Sequence, residues 1–131
     1  MKTRTKPTLL WQAFAMLTIL LLLSACGGEE SYLGAAEETI EITDSDASQT
    51  IDRSRPYELI VSGSGNTIII ASDNRITQLT ISGSNNLVTV SSGTTVDSLA
   101  FTGDDNTVTK LLGSVITSVD DPGSGNSVIN G

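Results

Sequence analysis

Two short β-type runs flank a Gly-x-x-Asn segment in the stretch Leu59-Ile60-Val61-Ser62-Gly63-Ser64-Gly65-Asn66-Thr67-Ile68-Ile69-Ile70. The segment returns every twenty residues without an insertion. Its four copies are Gly63 to Asn66, Gly83 to Asn86, Gly103 to Asn106, and Gly123 to Asn126. A fixed period of this kind indicates a chain that stacks one structural unit.

Superposition on a period of twenty aligns apolar residues in columns. Within each unit the apolar residues are two positions apart, which is the periodicity of a β-strand, and no amphipathic helix can be drawn. The sequence therefore predicts an all-β fold. The columns are Leu59, Leu79, Leu99, Val119; Val61, Ile81, Phe101, Asp121; Ile68, Val88, Val108, Val128; Ile70, Val90, Lys110, Asn130; and Pro56, Ile76, Val96, Ile116.

Two all-β architectures share this pattern, an antiparallel meander and a parallel β-helix. Hairpin loops tolerate changes in length, whereas a solenoid loses register when one coil gains a residue. The constant period therefore favours a short parallel β-helix of about four coils, right-handed as parallel crossover connections usually are. Its body is predicted to begin near residue 50. Residues 39–43 would be a first strand that joins or caps it, and Asp121 and Asn130 would mark its polar far end.

The N-terminus has the pattern of a secretory signal: a basic head, an apolar stretch over residues 9–23, and a site of small residues. Leu23-Ser24-Ala25-Cys26 resembles the bacterial lipobox, which implies a diacylglyceryl group on the Cys26 thiol and cleavage before it. An ordinary thiol after a conventional signal, or an uncleaved anchor, are the alternatives. The predicted organisation is a lipoprotein signal peptide (1–25), a lipidated acidic tether with an N-terminal cap as an option (26–49) and a β-helix repeat domain (50–131).

This N-terminus also predicts a location. Residue 27 is glycine rather than aspartate, which in Gram-negative lipoproteins resembles the default for export to the outer membrane. We therefore expect a protein of the cell envelope, held to a membrane by its N-terminal lipid. That membrane would be the outer membrane in a Gram-negative cell, and otherwise the outer face of the plasma membrane.

The repeat itself carries a second resemblance. The Gly-Ser-x-Asn-x-(Val/Ile)-x-(Val/Ile) units at Gly63, Gly83 and, with one change, Gly123 resemble a bacterial repeat family of unknown function, whose members are often small exported or lipid-anchored proteins. The resemblance covers residues 50–131, and Gly103-Asp104-Asp105-Asn106 departs from it. It implies a short β-helix and brings no catalytic residues.

Charge and composition exclude several classes of function. The whole chain has a formal net charge of −8, and the part after Cys26 keeps four basic side chains against all fifteen acidic ones, a balance of −11. Such a chain is a poor partner for nucleic acid, whose phosphates require clustered Lys and Arg. With no histidine in the sequence, His-dependent triads and most zinc catalysis are excluded as well. No cofactor is predicted.

The repeated asparagines and glycines have structural interpretations. Stacked Asn amides can form a ladder along the solenoid axis, or each Asn can occupy a left-handed turn. Gly63, Gly83, Gly103 and Gly123 would supply either a positive φ or a close approach between coils.

Two functional hypotheses remain open. The first is a non-enzymatic envelope lipoprotein whose rigid stub presents polar faces to an envelope protein or a glycan, or to another copy end to end. The second is a small carbohydrate-active enzyme or glycan-binding protein using the acidic corner. Calcium binding there is a weaker option, and a merely solvated corner is the simplest interpretation. Outward pairs such as Thr107 and Thr109 are typical of ice-binding arrays, but the row is irregular. The acidic corner consists of Asp104, Asp105, Asp120 and Asp121.

Overall fold

Ten short strands follow one another along residues 37–131, the part of the chain that the computed structural model describes. The predicted signal peptide, Cys26 and most of the predicted tether lie outside these residues. No helix that could cross a membrane occurs within residues 37–131. The strands are β1 (Glu38–Ile42), β2 (Ser48–Ile51), β3 (Tyr57–Val61), β4 (Thr67–Ile70), β5 (Arg75–Ile81), β6 (Leu87–Val90), β7 (Thr95–Phe101), β8 (Thr107–Lys110), β9 (Val115–Asp120) and β10 (Ser127–Asn130).

The strands form two five-stranded sheets in which every neighbouring pair is parallel. Sheet A has the order β1-β3-β5-β7-β9, and sheet B has the order β2-β4-β6-β8-β10. Each successive pair of strands is therefore one coil, with one strand in each sheet. The prediction of a parallel β-solenoid is confirmed, with five coils rather than about four. At the usual spacing of parallel strands, the first and last coils are ~19 Å apart along the axis.

The additional coil is the first one, which consists of β1 and β2. Within residues 37–131, regular structure therefore begins at Glu38, ahead of residue 50, and the segment 39–43 joins the body as a strand. This coil does not fit the twenty-residue spacing, because its strands pair with residues nineteen positions later: Ile42 pairs with Val61, and Ser48 pairs with Thr67. The offset also aligns Ala47 with Asn66, so the first coil lacks the asparagine of the Gly-x-x-Asn segment.

The core is built from the inward-facing columns that the sequence predicts, with one correction. Tyr57, not Pro56, pairs with Ile76, because the register between β3 and β5 shifts after Tyr57 and leaves Thr77 as an extra residue. Aliphatic side chains stack on aliphatic ones from coil to coil, so the burial of apolar area is continuous along the axis. The buried core residues are Ile42, Ile51, Tyr57, Leu59, Val61, Ile68, Ile70, Ile76, Leu79, Ile81, Val88, Val90, Val96, Leu99, Phe101 and Val108.

The two end coils differ in how far their inward residues are covered. In the first coil, Ile42 and Ile51 are only 2% and 6% exposed. In the last coil, Val119 and Val128 are 52% and 39% exposed. Asp121 and Asn130 are exposed too, and polar residues thus replace apolar ones at this end. Within the described residues, inward side chains are therefore better covered in the first coil than in the last, and we call the last coil the open end of the solenoid.

Candidate functional site

The first corner of each coil, which leads from sheet A to sheet B, holds the repeated asparagines. The Oδ1 atom of Asn86 accepts a hydrogen bond from the backbone N–H of Asn66 at 2.9 Å. Its Nδ2 group donates to the carbonyl oxygen of Gly63 at 2.9 Å and to Oδ1 of Asn106 at 3.1 Å. The same contacts recur at Asn106 with Gly83 and Asn126. The amides therefore form a ladder along the axis that also holds the corner backbone of the neighbouring coils.

The left-handed conformation belongs to the residue before each asparagine. Asn85 has a φ of 58° and Asp105 a φ of 55°, and Gly65 and Gly125 occupy the same position in their coils. The alternative that each ladder asparagine itself occupies a left-handed turn is thus ruled out for the described corners.

The repeated glycines provide close approach between coils instead of a positive φ. A Cβ atom at Gly83 would overlap the carbonyl oxygen of Gly63, and one at Gly103 would overlap the carbonyl oxygen of Gly83. Only a residue without a side chain allows the coils to stack this tightly at the first corner.

The second corner of each coil, which leads from sheet B to the next strand of sheet A, has a polar column that the sequence analysis missed. Its members are Asn74, Thr94 and Ser114, all buried. Thr94 donates from Oγ1 to the carbonyl oxygen of Ala71 at 2.7 Å and accepts from the N–H of Asn74 at 3.3 Å. Ser114 donates to the carbonyl oxygen of Leu111 at 2.7 Å. The available signal was a small polar residue at a spacing of twenty, although its identity changes in every coil.

Carboxylates of the acidic corner make local contacts with nearby residues. Asp104 Oδ1 accepts from the N–H of Ser124 at 2.9 Å, and Asp121 Oδ1 accepts from Asn126 Nδ2 at 2.8 Å. Asp105 has the left-handed conformation, and its carboxylate lies against Gly125. Among residues 37–131, no three His, Cys, Asp or Glu side chains are grouped as a metal site would require. The contacts of Asp104 and Asp105 join the last two coils, whereas the contact of Asp121 lies within the corner of the last coil.

The outward side of sheet B is the surface that stands apart from the rest of the molecule. Strand alternation places two outward residues of each coil on this flat side. None of the ten is charged. We call this surface the uncharged face of sheet B; it consists of Ser48, Thr50, Thr67, Ile69, Leu87, Thr89, Thr107, Thr109, Ser127 and Ile129.

The outward side of sheet A differs in the same molecule. It carries Glu41, Glu58, Arg75, Asp97 and Asp120, and Arg75 and Asp97 form an exposed ion pair at 2.9 Å. The lack of charge on sheet B is therefore a property of one side and not of the repeat. Ten neighbouring outward positions of sheet B thus carry no charge, whereas the outward side of sheet A carries five charged residues.

The uncharged face is also rigid and partly apolar. Seven of its ten residues are β-branched Thr or Ile, whose χ1 angles are restricted on a strand. Ile69, Leu87 and Ile129 are 41%, 43% and 48% exposed, and rows of hydroxyl groups lie between them. A surface with fixed hydroxyl and methyl groups loses little side-chain entropy when it binds a partner.

Comparison with known proteins places a family domain on this solenoid. Residues 61–125 match the family model described as "Protein of unknown function (DUF3060)". The chain carries a DUF3060 domain. That domain begins at the last residue of β3 and includes all four repeated glycines and the ladder residues Asn66, Asn86 and Asn106. The first coil lies outside the DUF3060 match. The chain matches no curated protein and no solved structure.

Proposed function

We propose that this chain is a non-enzymatic, lipid-anchored protein of the cell envelope whose solenoid presents the uncharged face of sheet B to a neutral glycan. The observation that carries the proposal is the absence of charge from ten neighbouring outward positions in a strongly acidic protein. A charged ligand would find no counter-charge there, whereas a neutral, hydroxyl-rich polymer needs none.

The chemistry of the face suits a polysaccharide. Ser and Thr hydroxyls both donate and accept hydrogen bonds, as sugar hydroxyls do. Ile69, Leu87 and Ile129 offer apolar contacts to the C–H faces of sugar rings. Without an aromatic residue for ring stacking, each coil contributes little affinity, and binding would depend on several coils contacting one polymer at once.

A stable protein–protein interface is a weaker explanation of the same surface. Binding energy between proteins is concentrated in Trp, Tyr and Arg, and the face has none of these. An envelope protein as partner is therefore the outcome that the experiment must separate from a glycan.

The anchoring part of the proposal is supported by the order of the N-terminal sequence. A basic head, an apolar stretch and Leu23-Ser24-Ala25-Cys26 precede an acidic segment. Two or more acyl chains on Cys26 would hold the protein stably at a membrane, in the outer membrane of a Gram-negative cell or on the outer face of a plasma membrane. Labelling of cells with an alkyne fatty acid tests this: wild type is expected to be labelled, and Cys26→Ser to lose the label.

We propose no catalytic role for the acidic corner, and no cofactor or nucleic acid partner for the protein. The contact of Asp104 with the neighbouring coil and that of Asp121 within its own corner support a structural role. Replacement of Asp104 and Asp105 by Asn separates the alternatives, because a carbohydrate-active enzyme would lose activity on cell-wall glycan while a scaffold would keep its binding.

A sedimentation assay tests the glycan. Full-length protein in detergent is mixed with delipidated, protease-treated cell-wall polysaccharide, and with an insoluble neutral β-glucan as a defined probe. Wild type is expected to sediment with the polysaccharide, and Thr89→Lys with Thr109→Lys to reduce the bound fraction at least about tenfold. Thr80→Lys, on the outward side of sheet A, is the matched control and should bind as wild type does.

Each remaining outcome counts against the proposal. Equal loss in the control would show that added charge, not the face, matters. Binding to untreated envelope that disappears after protease treatment would identify a protein partner instead. A wild type that binds neither material would remove the glycan hypothesis.

A further inference from the structure

The open end of the solenoid is the second distinctive surface, and it is independent of the uncharged face. Two of the large hydrophobic residues that are exposed within residues 37–131, Val119 and Val128, lie in the inward columns of the last coil. Val119 continues the column of Leu99 and Val128 that of Val108, and they are 52% and 39% exposed. Apolar side chains that remain exposed in core columns are typical of an interaction surface.

The backbone at this end is also unpaired. Strands β9 and β10 are the last strands of sheets A and B, so the outer edge of each has no strand neighbour in the described chain. The amide ladder stops here as well. The N–H groups of Asn66, Asn86 and Asn106 each donate to the next asparagine, and Asn126 is the last member of that series. A partner that pairs both free edges must therefore supply two strands at once, with the spacing between sheets A and B.

A second copy stacked head to tail does not fit. Its first coil would continue the columns, and the registers of the five coils fix which residues would meet. Ile116 would meet Glu38, Asp121 would meet Ile42, Val128 would meet Gln49, and Asn130 would meet Ile51. Only Val119 and Ile40 would match. The ladder would also end, because Ala47 has no side-chain oxygen to accept from the N–H of Asn126.

We propose that two copies of the chain associate through their last coils about a two-fold axis perpendicular to the solenoid axis. In this arrangement β9 pairs with its counterpart in the second copy in an antiparallel manner, and β10 does the same, so both open edges gain partners together. The last coil has the required spacing between its two strands by construction, and a contact that uses the same surface on both copies closes at a dimer. Val119 and Val128 lie in the covered area of both copies.

Electrostatics keep this dimer weak. Asp120 and Asp121 are exposed at the same end, and a two-fold axis brings them towards the same residues of the second copy. Like charges at an interface lower the affinity, and salt screens them. The association is therefore expected to strengthen as ionic strength rises.

Sedimentation equilibrium of the full-length protein, in density-matched detergent and at two salt concentrations, tests this arrangement. Wild type is expected to show a monomer–dimer equilibrium that stops at two copies and tightens at high salt. Val119→Lys should weaken the dimer at least about tenfold, because an apolar contact is replaced by a charge on both sides. Thr80→Lys on sheet A is the matched control and should leave the equilibrium unchanged.

Asp120→Asn gives an independent readout in the opposite direction. It removes a repelling charge without touching an apolar contact, and should tighten the dimer and reduce its dependence on salt. A wild type that stays monomeric at high salt, or an open-ended series of oligomers, overturns the proposal. So does a dimer that Val119→Lys and Asp120→Asn both leave unchanged.

Discussion

The side-chain amide of Asn86 donates from Nδ2 to the backbone carbonyl oxygen of Gly63, twenty-three residues earlier and one coil away, at 2.9 Å. The two residues belong to successive copies of one repeated pair, so the asparagine of each coil fixes the glycine of the coil before it. This relationship explains why the two residue types recur together. The glycine permits the coils to approach, and the asparagine uses the carbonyl group that the approach brings within reach.

Asn86→Ala tests the ladder. The substitution leaves the carbonyl group of Gly63 and the N–H of Asn66 without a partner at a position where Asn86 is 2% exposed. We expect a loss of about 1–3 kcal/mol in the free energy of unfolding, measured by chemical denaturation. Asn130→Ala, at the exposed end, is the control and should change stability by less than about 0.5 kcal/mol. An Asn86→Ala midpoint equal to wild type would contradict the ladder's role.

Gly83→Ala separates close approach from backbone conformation. Its Cβ atom would overlap the carbonyl oxygen of Gly63, so the coils must move apart, and we expect a loss above about 4 kcal/mol or failure to fold. At Gly113, φ is 87° and a Cβ atom would meet only the backbone nitrogen of Gly93 at 3.8 Å. Gly113→Ala should therefore cost only about 1–2 kcal/mol, the strain of a left-handed alanine. Circular dichroism and thermal melts of both variants give the comparison, and equal losses would refute it.

Thr94→Val tests the polar column of the second corner. Valine has the same shape but lacks the hydroxyl group that bonds the carbonyl oxygen of Ala71 and the N–H of Asn74. A decrease of about 1–3 kcal/mol in unfolding free energy is expected, because the N–H of the buried Asn74 loses its acceptor, although the carbonyl oxygen of Ala71 keeps the Asn74 amide as a donor. The same replacement at the exposed Thr102 serves as control. If both variants unfold at the same denaturant concentration as wild type, the column contributes nothing measurable.

Because of Tyr57, we expect the free energy of unfolding to depend on pH in the alkaline range. Burial raises the pKa of Tyr57 to about 12; nearby Arg53 opposes the shift, while Asp52 and Glu38 add to it. The unfolded chain therefore releases this proton near pH 10, before the folded chain does. The contribution of Tyr57 is fully present below about pH 10 and is lost as pH rises towards 12, by at most roughly 1.4 kcal/mol per pH unit.

Tyr57→Phe is the matched variant for that measurement. The Tyr57 hydroxyl group is buried without a hydrogen-bond partner among the described residues, so its removal should raise stability at pH 7 by about 1 kcal/mol. Between pH 10 and 11.5, wild type should lose more stability than Tyr57→Phe in parallel denaturation curves. Identical slopes for the two proteins would show that Tyr57 does not ionise differently in the two states.

The sequence predicts most of this fold because a solenoid repeats its constraints at every coil. The spacing of Leu59, Leu79 and Leu99 reveals the inward columns directly, since each must pack on the next. The first coil does not follow the twenty-residue spacing, and Thr77 adds one residue at the start of the third coil. The nineteen-residue offset and the extra Thr77 both keep the inward columns aligned in space. They interrupt the constant spacing in the sequence from which the columns are recognised.

The candidate sites are less visible in the sequence, for a different reason. Asn74, Thr94 and Ser114 share a hydrogen-bonding role and not an identity, so no motif marks them. The uncharged face can be recognised only when the outward positions of one sheet are separated from those of the other. The outward pair of each coil differs in residue type from the next, as Thr107 and Thr109 differ from Ser127 and Ile129. What the ten residues share is that none is charged, which a search for a repeated residue type does not detect.

The hydrogen bond between the Asn86 amide and Gly63 also determines by how many residues the repeat can be shortened or extended. Removal of residues 83–102 would delete one coil and connect Ser82 directly to Gly103. The remaining columns and ladder contacts would then be restored, with Asn106 bonding Gly63 as Asn86 does now. A deletion of nineteen or twenty-one residues in the same place would need a bulge such as the one at Thr77 to return the following columns to register. Recombination between repeats therefore produces foldable shorter or longer descendants, and their heights differ by whole steps of ~4.8 Å.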